Sequence, residues 1–284
     1  MLIKKIANSI LFCTVLSTEM SCSHHLPDFS STLSTRLPTN EQTESLGEYT
    51  LGCLKGAQTF NGNEVGLVLS RVKRGRYWGH PDLINLIREV GIELYNKNKK
   101  MIVGDLSLSR GGPMILGHNS HQNGLDVDIW FKALKADEFI SFNEVETLEM
   151  NPIQTLGEDQ LMIIHLFAKN EKVERIFINP KLKKNLCDDM TDKKLGFNEQ
   201  RKLRAWWGHD DHIHVRLKCP KNNLNCISQK AIPEGNGCGE DLNWWFSEEA
   251  NSKNTDPSWE ELKKLYLEKV DKLPYHCEIY KKLD

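Results

Sequence analysis

Gly117-His118-Asn119-Ser120-His121-Gln122-Asn123-Gly124-Leu125-Asp126-Val127-Asp128-Ile129-Trp130 places two imidazoles, two carboxylates and a turn-forming Asn-Gly in one short segment. From Leu125 onward apolar and acidic residues alternate with the period of a strand. Leu125, Val127 and Ile129 should therefore face a core while Asp126 and Asp128 share the opposite face. The Asn123-Gly124 turn can deliver His121, seven positions before Asp128, back to that acidic face. An imidazole and a carboxylate meeting there are two ligands for one divalent metal. A third donor is expected from Trp206-Trp207-Gly208-His209-Asp210-Asp211-His212-Ile213-His214-Val215-Arg216-Leu217. In this second period-2 stretch His212 and His214 lie on one face, with Ile213, Val215 and Leu217 on the other. A His, Asp, His set with a position left for water is the composition of a catalytic zinc site, whereas four cysteines mark a structural one.

The rest of the chain supplies a scaffold of ordinary size. Its 284 residues and 39% hydrophobic content allow one substantial core in a single domain. A net charge of -2, with lysines scattered among acids and no basic stripe, argues against a nucleic-acid partner. Met1-Leu2-Ile3-Lys4-Lys5 followed by the apolar run Ile6 to Leu16 reads as a secretory signal over residues 1–23, too short for a permanent span. The mature chain is thus expected to be exported, without a transmembrane segment. Ser21 and Ser23 offer the small residues of a cleavage site, and Cys22 offers a lipid anchor, although Glu19 and Met20 fit a lipobox poorly. Residues 24–46, rich in Ser, Thr and Pro, read as a flexible lead, leaving 47–284 as one folded domain.

Within that domain, Pro81 at a helix start, Asp82 in the first turn and Leu83, Ile84, Ile87, Val90 and Leu94 at helical spacing predict an amphipathic helix to about Asn96. Met101 to Leu106 reads as a strand, and Arg110-Gly111-Gly112-Pro113 as the loop leading to the metal segment. Further helices are expected over 159–170, 180–187, 198–205 and 259–270, with a strand over 173–178. Helices alternating with short strands, the last of them antiparallel in character, give an α+β fold. Its central antiparallel sheet carries the zinc site and is flanked by helices. Eight cysteines include Cys13 and Cys22 in the signal, leaving six in the folded part. Export favours disulfides, but six cysteines permit about 15 pairings.

The two metal segments together, His-x6-Asp followed far downstream by His-x-His, resemble the zinc peptidases of the lysostaphin and D-Ala-D-Ala carboxypeptidase superfamily. Within it, Ser120-His121-Gln122-Asn123-Gly124-Leu125-Asp126-Val127-Asp128-Ile129 and His212-Ile213-His214-Val215-Arg216-Leu217-Lys218-Cys219-Pro220 resemble the penicillin-insensitive murein endopeptidases. The likeness runs from about Gly52 to Cys277. It takes in Tyr77-Trp78-Gly79-His80-Pro81-Asp82-Leu83, Arg175-Ile176-Phe177-Ile178-Asn179-Pro180 and Gly235-Asn236-Gly237-Cys238-Gly239. The resemblance implies hydrolysis of D-alanyl to meso-diaminopimelyl cross-links in peptidoglycan. It implies His121, Asp128 and His214 as zinc ligands and His209 as a further active-site histidine, and it leaves His212 off the metal, beside the water, where amide hydrolysis needs a base. It also implies His118 at a second, weaker metal, although the rest of that accessory site is not recognisable between Trp130 and Leu161. Finally, it implies the disulfides Cys53 with Cys277, Cys187 with Cys238, and Cys219 with Cys226.

Each of these readings has a plainer competitor. His165 on an apolar helix reads as a satisfied half-buried residue, His24, His25 and His276 as surface residues, and His80 as a group that satisfies backbone near Pro81. Asp126 reads as an orienting partner or an exposed strand acid, since a fourth protein ligand would close the position that water needs. Neither His-Glu-x-x-His nor a Gly-x-Ser-x-Gly elbow is present, so a helix-borne glutamate base and a serine nucleophile of that type are unsupported. The alternatives to a cross-link endopeptidase are a D,D-carboxypeptidase using the same residues and a non-catalytic zinc-dependent wall-binding module. The second would be favoured by loss of His212 or His209, and both are present.

Overall fold

The computed structural model describes residues 36–188, 195–252 and 257–281. The expected signal at 1–23, with Cys22, and the first part of the lead lie outside these residues. An antiparallel hairpin, β1 (Glu44–Glu48) and β2 (Leu51–Lys55), precedes a 6-stranded sheet of order β3-β4-β5-β8-β6-β7. Its strands are β3 (Leu67–Leu69), β4 (Lys99–Val103), β5 (Asp126–Lys135), β6 (Val173–Ile178), β7 (Leu203–Ala205) and β8 (His212–Leu217).

The centre of this sheet, β4-β5-β8-β6, is antiparallel as expected, while β3 joins β4 and β7 joins β6 in parallel. Parallel neighbours need a crossover of a dozen or more residues, and both edges have one built from helix. Helix α1 (Pro81–Tyr95) links β3 to β4. Helices α4 (Pro180–Asp188) and α5 (Phe197–Lys202) link β6 to β7, and α2 (Phe142–Thr147) and α3 (Glu158–Ala168) lie between β5 and β6. The helix expected over 198–205 therefore stops at Lys202. Beyond it, Leu203 and Ala205 pair with Ile176 and Ile178 and turn their apolar side chains into the core.

Helix α1 begins where Pro81 occupies its first turn and the His80 ring accepts from the Asp82 N–H at 3.1 Å. That cap accounts for His80, which is buried and whose pKa burial lowers. The apolar residues of α1 and α3 cover one face of the sheet and share a single core with Val127, Ile129, Ile176, Ile213 and Val215. The opposite face, carrying Asp126, Asp128, His212 and His214, is left for the site.

The packed part of the chain starts earlier than residue 47. Leu46 is fully buried, Arg36 donates to the Tyr280 carbonyl at 2.6 Å, and the Ser109 hydroxyl donates to the Arg36 carbonyl at 2.7 Å. Leu46, Cys53, Tyr266 and Cys277 share a smaller apolar cluster that fastens the Trp259–Lys272 helix to the hairpin. The disulfides are Cys53–Cys277, Cys187–Cys238 and Cys219–Cys226.

Candidate active site

Strand register builds the floor of the site. β5 and β8 pair antiparallel so that Asp126 lies opposite Arg216, Asp128 opposite His214, and Trp130 opposite His212. Because these positions share one pleat face, the alternation seen in sequence places all six side chains on the side away from α1 and α3, where Trp130 meets Val145 of α2. Asp126 is fully buried and accepts from Arg216 Nε at 2.6 Å, Arg216 Nη2 at 3.0 Å and the His121 N–H at 3.0 Å. Burial alone would raise its pKa, but the Arg216 guanidinium more than offsets this and holds the carboxyl well below the usual range. Asp126 is therefore the orienting group rather than an exposed acid.

His121 sits in the left-handed region at φ 63°, where its N–H meets Asp126 and its Nδ1 lies 3.1 Å from the Leu106 carbonyl. A carbonyl only accepts, so the ring proton resides on Nδ1 and the Nε2 lone pair is aimed away. That Nε2 lies 3.3 Å from Asp128 Oδ1, and neither buried atom has a hydrogen-bond partner. Two orphaned buried acceptors facing each other are costly unless a cation joins them. His118 Nε2 lies 3.6 Å from Asp128 Oδ2, and ligand atoms of His118, His121 and Asp128 all fall within 4.8 Å of one another, a group that could hold a metal ion.

His214 borders this group, with Nδ1 3.7 Å from Asp128 Oδ1 and its ring 4.5 Å from that of His121. Its other nitrogen lies 3.0 Å from Asp126 Oδ1, close in distance though off the line of a good hydrogen bond. His212 Nε2 is 3.6 Å from Asp128 Oδ1, and His212 Nδ1 is held by Asp211 Oδ1. Burial lowers the His212 pKa, but Asp128 and Asp211 outweigh it, and the net shift is upward. His209, also at positive φ (54°), gives its Nδ1 proton to the Trp207 carbonyl at 2.8 Å. Burial, reinforced by His212 and His214, lowers its pKa to about 3, so it stays neutral. All five histidines expected at the site are thus together, while His165 pairs with Glu199 at 3.1 Å on a half-exposed helix face.

Asp105 is a site residue that sequence reading missed. It lies just past the end of β4, and its Oδ2 is 2.9 Å from His118 Nε2, 2.9 Å from Arg76 Nη1 and 3.1 Å from Arg74 Nη1. Burial raises its pKa, but His118 and the two arginines reverse this and keep it ionised. Its sequence setting, an isolated acid after an apolar run, carries no signal of that role.

Above the floor lies a cleft of about 430 Å³ whose walls include Trp206, Trp207, Arg175 and Gln229. The model of the penicillin-insensitive murein endopeptidase family matches residues 45–281, which span the whole sheet and the three disulfides. The chain belongs to the penicillin-insensitive murein endopeptidase family. A relative of that name from Yersinia pestis bv. Antiqua (strain Antiqua) is 35% identical over 224 residues, 74% of this chain and 78% of the relative. One from Pectobacterium atrosepticum is 35% identical over 232 residues, 75% and 80% of the two chains. One from Klebsiella pneumoniae (strain 342) is 34% identical over 219 residues, covering 74% and 78%. The matched span contains every site residue named above. Among the described residues, no helix is long and apolar enough to cross a membrane.

Proposed function

We propose that this protein is a zinc-dependent murein endopeptidase that hydrolyses the amide between D-alanine and meso-diaminopimelate in peptidoglycan cross-links. The observation that carries the metal reading is the orphaned pair His121 Nε2 and Asp128 Oδ1, buried and 3.3 Å apart. We take His121, Asp128 and His214 as the ligands. Neutral imidazole and carboxylate donors suit zinc, and Asp126 behind His214 orients that ring as such partners do. His118, whose Nε2 lies 2.9 Å from Asp105, we assign to a second, weaker metal position beside this set.

A bound zinc ion would supply Lewis acidity toward the scissile carbonyl and a more acidic water. The remaining chemistry belongs to the chain. His212 Nε2 faces the cluster with its far nitrogen fixed by Asp211, so it can take a proton from the attacking water and return one to the leaving amine. His209, neutral and with Nδ1 committed to Trp207, offers Nε2 as an acceptor for a substrate N–H. Export is part of the reading: three disulfides fit an oxidising compartment such as the periplasm.

The test is digestion of purified cross-linked muropeptide dimers with mass analysis of the products, before and after chelation and zinc return. Monomer release that stops on chelation and resumes with zinc is expected. Zinc-loaded protein that releases only terminal D-alanine would make it a carboxypeptidase, and one that releases nothing would leave a binding module.

A further inference from the structure

The site face continues beyond the metal cluster, and there it turns cationic. Register places Arg175 opposite Arg216 and Phe177 opposite His214, while Arg204 lies beside Phe177 on β7. Arg216, Arg175 and Arg204 therefore stand on the same pleat face of three neighbouring strands, one side-chain repeat along from the histidines or one strand across. Of the three, only Arg216 has a bidentate carboxylate partner, Asp126.

Arg175 has a long contact to Glu174 at 3.4 Å and gives Nη2 to the Lys230 carbonyl at 2.7 Å, leaving Nε buried without a partner. Arg204 Nη2 reaches the half-exposed Asp241 at 3.3 Å, and its Nη1 is likewise buried and unpartnered. Both arginines line a pocket of about 200 Å³ that shares Arg175, Phe177 and Trp206 with the main cleft. Gln229, on the cleft wall, also carries a buried Oε1 without a donor. Buried donors without acceptors are expensive in a folded protein, and at a cleft they mark where a ligand completes the bonding.

We propose that Arg175, supported by Arg204, is the specificity-determining site for the carboxylate on the amine side of the scissile bond. The inference rests on the endopeptidase reading for its substrate. Each amine of diaminopimelate sits on a carbon that also carries a carboxyl group, so a carboxylate lies two bonds from the nitrogen being released. With the carbonyl at His121, Asp128 and His214, a carboxylate directed to the Phe177 side of the cleft would meet a guanidinium fork one pleat further on. Burial disfavours the charge on Arg175, and Arg216 and Arg204 add to this against Glu174, so an incoming anion relieves an existing imbalance.

The test compares N-acetyl-D-alanyl-D-alanine with its C-terminal amide, which differ only in the carboxylate. Binding is followed by tryptophan fluorescence on stopped-flow mixing, since Trp206 and Trp207 line the cleft. Wild type is expected to prefer the acid about 10- to 100-fold, the usual size for a hydrogen-bonded charge. Arg175→Gln should lose that preference, Arg175→Lys should recover part of it, and Arg204→Gln should weaken it. Equal binding of acid and amide, binding of neither, or an undiminished preference in folded Arg175→Gln would overturn the proposal. The wild-type comparison decides even if a variant fails to fold. An acid preference that persists in a protein unable to cleave any cross-linked murein would sink the endopeptidase reading and leave the carboxylate site standing.

Discussion

His121 shows how much of the site is held by single contacts. A residue with a side chain at φ 63° costs free energy that its N–H bond to Asp126 and its ring bond to Leu106 must offset. Those two bonds leave Nε2 facing Asp128, and the metal reading follows from that geometry. Replacing His121, Asp128 or His214 by Ala is expected to abolish tight zinc binding, measured as metal content after dialysis. A variant that keeps full occupancy removes that residue from the set. His212→Ala should keep both zinc and the wild-type melting temperature yet lose roughly 10²–10⁴ in turnover, the usual size of an acid-base contribution. Unchanged turnover in zinc-loaded His212→Ala would end its assignment as the base. Arg216→Met is different in kind, because it leaves the ionised and fully buried Asp126 without its cation. Breaking such a pair costs about 3–5 kcal/mol, read from chemical unfolding, and the double variant Asp126→Leu with Arg216→Met should cost less than the single one. The histidines and Asp128 were legible as residues because they cluster in two segments. Asp105 and Arg175 were not, since Asp105 is a lone acid just past a strand and Arg175 sits beside Glu174 in a short strand, and only the folded sheet brings them to the site.

At the scale of elements, alternation alone revealed β5 and β8 and the face each would bury, because a half-buried strand writes its orientation into every second residue. Strand direction is not written there. The parallel edges β3 and β7 emerge only from the helical crossovers, and at three residues each these strands are too short for a period to show. The hairpin at 44–55 was also invisible: Leu46 is buried against the Trp259–Lys272 helix region and Leu54 against the Gly124 turn, not by a pattern of their own. The Asn123-Gly124 turn is the element on which the metal geometry depends. Gly124 has φ 76°, and a Cβ there would stand 2.5 Å from Leu54 Cδ2, so both backbone and space require glycine. Gly124→Ala should destabilise the fold by more than about 1 kcal/mol and weaken zinc binding together, since the turn spaces His121 from Asp128. Thermal melting with zinc titration checks both, and a variant that melts lower but binds zinc normally would uncouple the turn from the site.

For the whole molecule, the main core and the disulfides that fasten the hairpin and the outer segments to it make the domain act as one unit, so local charge burial shows up in global stability. Lys183 on α4 gives the cleanest case. It is 1% exposed and donates Nζ to the Gln200 carbonyl at 2.9 Å and the Asn236 carbonyl at 2.8 Å, tying α5 and the loop before Cys238 to α4. Burial, with Arg204 nearby, lowers its pKa from 10.5 to about 7. The two carbonyl acceptors favour the ammonium and limit that shift. In the unfolded chain the amine keeps its proton to about pH 10.4, so through the alkaline range above 7 the unfolded state binds more protons than the folded one. Stability contributed by this group must therefore rise with pH across that window, by no more than about 1.4 kcal/mol per unit. Lys183→Met removes the titration and with it this group's pH dependence, at the cost of leaving both carbonyls without a donor. The informative quantity is the gap between the two proteins in urea unfolding at pH 7 and pH 9. Wild type should gain on the variant over that interval, because only wild type sheds a buried charge, and parallel stability curves would show that Lys183 stays protonated through the range.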